Sequence, residues 1–119
     1  MEYLFLLYMN PDDPAMTAEQ REKAMRDHWA IMDDATSAGV YRGAHPVQPG
    51  TGTVIRRSDA ADLSTTDGPF AETKEVLGGY YLIDCANDEE AQKWGSRLAV
   101  TGRIRVVEIR QLAPIPSRP

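Results

Sequence analysis

Cysteine is nearly absent from this sequence: Cys85 is the single one in 119 residues. A lone thiol closes no internal disulfide, so a disulfide scaffold is excluded and a reducing, cytoplasmic location is the expectation. Cys85 has no CxxC partner and no histidine near it in sequence, and it reads as a core thiol. Histidine is almost as scarce. His28 and His45 are the only two; they do not stand at metal-ligand spacing and no cluster of acids or cysteines accompanies either, so no metal is expected. No glycine-rich phosphate loop opens a helix, so no cofactor is expected. Basic residues are outnumbered 13 to 18, a net charge of −5, which speaks against nucleic acid as a direct partner. Long apolar runs are missing too. The longest, Tyr3 to Met9, is too short to span a bilayer and has neither a basic segment before it nor a small-residue cleavage site after it, so it is expected to be a buried strand rather than a membrane or export signal.

What is present is ordinary globular material: 42% hydrophobic and 26% charged residues, in a length that suits one domain. Residues 1–119 are expected to form that single domain, with 113–119 a proline-rich tail that cannot extend a sheet interior. Residues 2–9 are apolar on both alternating faces, so this strand wants cover on both sides. Asn10-Pro11-Asp12-Asp13-Pro14 breaks it. Thr17 followed by Gln20 is a capping-box pattern, and the helix it starts is predicted from Ala18 to Ala38, with Gly39 as its C-terminal cap. Met25, His28, Trp29, Met32 and Ala35 recur at three- and four-residue steps and are expected to form its apolar stripe. Strands are predicted over 40–47, 51–56 and 63–66, and a stronger one over 78–86 is opened by Gly78-Gly79, which permit close backbone approach. Asn87 and Glu90 cap a second helix with Ala91, Trp94 and Leu98 inward. The last strand, 103–112, has adjacent Val106-Val107 breaking its alternation, the sign of a bulge. The order β-α-β, hairpin, β-α-β predicts an α+β, ferredoxin-like fold, an antiparallel sheet with two helices on one face. The other face would be bare, although the first strand is apolar there as well; a face-to-face homodimer would bury it.

The run Thr66-Asp67-Gly68-Pro69-Phe70-Ala71-Glu72-Thr73-Lys74-Glu75, followed by Leu77-Gly78-Gly79-Tyr80-Tyr81, resembles the DGPF branch of the YCII-related family. The agreement extends to the opening apolar strand, the histidine on the first helix, Val47-Gln48-Pro49 and the Ala91–Trp94 helix, nearly the whole chain. The resemblance implies a ferredoxin-like fold of the dimeric α+β barrel type, a homodimer, and small-molecule sites in the cleft between sheet and helix or near the dimer interface. For YCII-type members it implies a His–Asp catalytic pair. One relative is a dehydrochlorinase acting on a chlorinated hydroxyquinol, and some DGPF proteins are encoded near extracytoplasmic-function sigma factors. The family histidine falls on His28. The usual neighbourhood of the family aspartate reads Trp94-Gly95-Ser96-Arg97-Leu98, without an acid, which leaves Asp67 and Asp84 as substitutes.

Imidazole titrates near neutrality, which makes His28 the candidate general base; the alternative is a buried neutral histidine with one hydrogen-bond partner. Asp67 either orients His28, binds ligand, or closes the Asp-Gly turn through its own backbone. Glu72, Thr73 and Lys74 set an acid, a hydroxyl and an ammonium in consecutive positions beside Gly78-Gly79, as candidate ligand-binding residues or as a solvated helical turn. Tyr80 and Tyr81 point to opposite faces of their strand, so that one can reach a ligand while the other packs; Tyr80 is carried as the ligand-side candidate. Two function classes follow, beside a third in which the protein is a purely structural dimer with no pocket at all. One is a small-molecule enzyme in which His28 moves a proton, by elimination, isomerisation or hydrolysis. The other is a non-catalytic ligand-binding or accessory module linked to sigma-factor regulation, with a sigma factor as partner.

Overall fold

The computed structural model describes residues 1–48, 50, 52–67 and 75–119. In chain order the elements are β1 (Glu2–Met9), α1 (Ala18–Ser37), β2 (Tyr41–Pro46), β3 (Thr53–Arg57), β4 (Leu63–Asp67), β5 (Val76–Asp84), α2 (Asp88–Ala99) and β6 (Ile104–Gln111). Four strands make one sheet in the order β2-β5-β1-β6, each antiparallel to its neighbours, while β3 and β4 form a separate hairpin. This is the ferredoxin-like α+β arrangement, with β5 inserted between β1 and β2. No helix among the described residues is long and apolar enough to cross a membrane.

Local chemistry sets the helix ends. The Thr17 hydroxyl accepts from the Gln20 amide at 3.1 Å and the Gln20 side chain accepts from the Thr17 amide at 2.9 Å, so two otherwise orphaned donors are satisfied reciprocally. Past the far end of α1, Gly39 takes φ +75°, a turn-off that a side chain would strain. The Asn87 side chain accepts from the Glu90 amide at 2.9 Å and starts α2 in the same way. An Arg97–Asp34 ion pair of 2.8 Å ties the two helices together.

Alternation along the central strands puts Tyr3, Phe5 and Leu7 of β1 and Tyr81 and Ile83 of β5 into the core, against Ile31 of α1 and Ala91 and Leu98 of α2; buried Cys85 joins them. Burial pushes the Cys85 thiol up to about 11, as expected of a thiol without a reactive role. At Gly95 α2 packs closely on the sheet: an added Cβ would lie 2.7 Å from Ile109 Cδ1, which would have to turn aside. Leu4, Leu6, Tyr80 and Leu82 alternate to the opposite face and are only half-buried.

Two expectations need correction. The buried stripe of α1 is Ala24, Ile31 and Ala35, whereas Met25 and Trp29 are 44% and 54% exposed. Ala35 is buried as predicted and His28 and Met32 are half-buried, but Ala24 and Ile31 take the inward places expected of Met25 and Trp29, because small Ala24 and branched Ile31 pack closer to the sheet than the bulkier pair could. The irregularity in β6 falls at Arg105, one residue before Val106-Val107: Tyr8 faces Val106 and Met9 faces Ile104.

The β3–β4 hairpin stands apart. Its strands pack principally on each other, and apart from half-buried Val54 every residue in them is exposed.

Candidate functional site

Tyr81 lies opposite Phe5 of β1 and Ala44 of β2 in the sheet register, on the helix-facing side of β5. Its ring is buried, and burial, with a smaller electrostatic contribution from Tyr41, pushes its hydroxyl up to about 12. The phenol is therefore protonated at any physiological pH. Above it, near the middle of α1, His28 places Nδ1 at 2.7 Å from the Tyr81 hydroxyl oxygen. The rings stack nearly parallel, with centroids 5.8 Å apart and 19° between planes.

His28 is half-buried, and burial lowers its pKa below the ordinary 6.5, opposed by the negative charge of neighbouring Asp27. The imidazole is neutral at pH 7, so one ring nitrogen carries a hydrogen and the other a lone pair. When Tyr81 donates to Nδ1, the hydrogen sits on Nε2. In the other tautomer Nδ1–H donates to the Tyr81 oxygen, Nε2 becomes an acceptor, and the Tyr81 hydroxyl is free to donate elsewhere.

Both residues line a cavity of about 230 Å³ between α1 and the sheet. Leu7, Met25, Met32, Ala44 and Ile104 make its apolar walls, and Pro46, Gly78 and Gly79 contribute to the side where β2 ends and β5 begins. An engineered apolar cavity of about 150 Å³ holds benzene, so this one has room for a substituted ring. Gly79 lets β5 run close against β2 at this wall: an added Cβ there would stand 3.0 Å from the His45 carbonyl oxygen. Behind the wall, the Tyr41 hydroxyl donates to the Met32 sulfur at 3.6 Å and steadies that flexible side chain. No Asp, Glu, Lys or Arg lines the cavity among the described residues, which suits a neutral ligand.

The structure brings some predicted site residues together and not others. His28 is in the cavity wall. Asp67 is not: it ends β4, exposed, opposite Thr53 on the separate hairpin. Asp84, the other substitute acid, ends β5 away from the cavity, where it pairs with the Met1 amino group at 2.7 Å and with Arg42 at 3.1 Å. Glu72, Thr73 and Lys74 lie outside the described residues. Tyr80 is among the residues lining the cavity, but by alternation it points away from the helices, and its ring meets His45 with centroids 5.8 Å apart. Tyr81, its neighbour, is the hydroxyl that reaches His28. Sequence reasoning did not single it out because β5 is apolar on both faces, and alternation says that two tyrosines oppose each other without saying which faces the helices. Among the described residues no group of three His, Cys, Asp or Glu side chains converges as a metal site would require.

Comparison with known proteins supplies the context. The family model described as the YCII-related domain matches residues 1–115. An uncharacterised protein of Rhizobium meliloti (strain 1021) is 39% identical over 92 residues, covering 76% of this chain and 74% of that protein. Among solved structures, the 5-chloro-2-hydroxyhydroquinone dehydrochlorinase TftG of Burkholderia phenoliruptrix AC1100, in complex with 2,5-dihydroxybenzoquinone, superimposes with a TM-score of 0.56 over 95% of this chain and 94% of its own, at 10% identity. That likeness is one of fold.

Proposed function

The chain belongs to the YCII-related family, and on that premise we propose that it is a small-molecule enzyme in which His28, held by Tyr81, moves a proton on a neutral organic substrate. One observation carries this reading: the only histidine of the helix stands at 2.7 Å from a buried phenol in the wall of a ring-sized cavity. The chemistry follows from the two tautomers. Nε2 takes a proton from a substrate C–H or O–H, Nδ1–H passes its own to the Tyr81 oxygen, and the Tyr81 hydroxyl gives a proton to a leaving or rearranging group. Every proton is accounted for, and no net charge is left in an apolar cavity, where an isolated imidazolium would be costly. Elimination and isomerisation need this pattern. The fold shared with a dehydrochlorinase is compatible with it.

The working unit in this reading is a homodimer in the cytoplasm, stacked through the sheet face opposite the helices, where Leu4, Leu6, Tyr80 and Leu82 have no described element over them. A second reading, a ligand-binding module without catalysis, is favoured by the phenol standing where a catalytic pair would have a carboxylate.

The test is a turnover screen over small neutral substrates, including the quinol class of the structural neighbour, with wild type and His28→Ala side by side. Catalysis predicts a loss on the order of 10²–10⁴-fold in the variant, with its melting temperature held. A variant that binds and converts as well as wild type, or only melts earlier, removes the catalytic role of His28. Ligand binding without conversion by either protein supports the second reading.

A further inference from the structure

The β3–β4 hairpin is a two-stranded ribbon of five residues a side, and a lone hairpin of that size is marginal in water. Its register sets its two large exposed apolar side chains on one face, beside Arg57 and Thr65. Ile55 lies opposite Thr65, and Leu63 opposite Arg57, so Ile55 and Leu63 project from the same face, 66% and 69% exposed. The chain as a whole is correspondingly spread out: its radius of gyration is 16.7 Å, against about 13.5 Å for a compact chain of this length. Its extents are 49 × 48 × 19 Å, and the small dimension leaves room for one sheet and one layer of helices. The hairpin therefore extends beside the sheet as an arm and does not fold back over either face.

Area identifies what the arm is for. Four strands of about eight residues present a face of roughly 500 Å² in plan, so two stacked faces cover about 1,000 Å². As a plan area that is a lower bound on the accessible surface buried, and it stands near the low end of the roughly 1,200–2,000 Å² typical of a stable interface. Each arm adds a ribbon face of about 170 Å²; two arms, each covering an equal patch of the other copy, bring the total to roughly 1,700 Å², inside that range. We propose that the β3–β4 hairpin is a clasp for a second copy of this chain, burying Ile55 and Leu63 against the partner alongside the stacked sheets. This rests on the sheet-face dimer of the preceding section. In chain order the arm lies between β2 and β5, whose adjoining ends contribute Pro46 and Gly78 to the cavity.

Sedimentation velocity over a concentration series, with hydrogen exchange of the arm amides, tests it. Wild type is expected to dimerise, with arm amides gaining protection as dimer forms. The Ile55→Asp/Leu63→Asp double variant should weaken dimerisation at least ten-fold with an unchanged far-UV spectrum, because neither side chain is buried in its own chain. Leu6→Asp tests the sheet face separately. Dimerisation lost in Leu6→Asp but unaltered in the arm variant, with arm amides unprotected, overturns the clasp and leaves the stacked dimer standing. A wild type that stays monomeric throughout overturns both.

Discussion

At the scale of single residues, the site depends on keeping an imidazole neutral. Burial lowers the His28 pKa below its unfolded value of 6.5, so between the two values the unfolded chain binds more protons than the folded one. Stability is then full above pH 6.5 and declines as pH falls through the window beneath it. In urea melts at pH 7.5 and pH 5, His28→Gln should show a smaller acid-side loss than wild type; equal losses would mean that His28 does not titrate differently on folding. Tyr81 belongs to the same account from the other side, since a hydroxyl held up to about 12 remains a donor wherever the imidazole is neutral. Neither shift comes from a charged partner on the ring. Both come mainly from where the rings sit.

At the scale of elements, α1 decides what the site contains. Its buried stripe of Ala24, Ile31 and Ala35 sets the rotation that aims His28 at β5 and leaves Trp29 outside. Ile31→Ala should cost about 2–5 kcal/mol, whereas Trp29→Ser should change stability by no more than about 0.5 kcal/mol, both read from chemical denaturation of matched samples. If the Trp29 variant were the more damaging, the stripe inferred from the sequence would be the true one. That comparison shows how far the sequence was legible. The capping box at Thr17 and the Asn87 cap could be read from local pattern, because each depends on a side chain's relation to its own backbone, and the sequence of elements and the place of His28 on α1 could be read from hydrophobic periodicity. The rotation of α1 and the choice between Tyr80 and Tyr81 could not. Met25 and Trp29 fit a helical stripe as well as Ala24 and Ile31 do, and β5 is apolar on both faces, so only packing between elements distinguishes them. The acid expected beside His28 was a family expectation, and the structure sets a phenol there.

At the scale of the whole molecule, a layer one sheet and one helix thick carries an apolar sheet face and a projecting arm. The His28 cavity lies between the helices and the sheet, with one wall formed where β2 ends and β5 begins, the strands that flank the arm. The central claim, however, is testable on the chain alone: the fold holds His28 as a neutral base against Tyr81. Histidine ring resonances followed by NMR across pH 4–8 measure it directly. His28 should titrate with a midpoint below 6.5, and Asp27→Asn should move the midpoint lower still, since Asp27 is the group that opposes the shift. A His28 midpoint at or above 6.5 in the folded protein would contradict it.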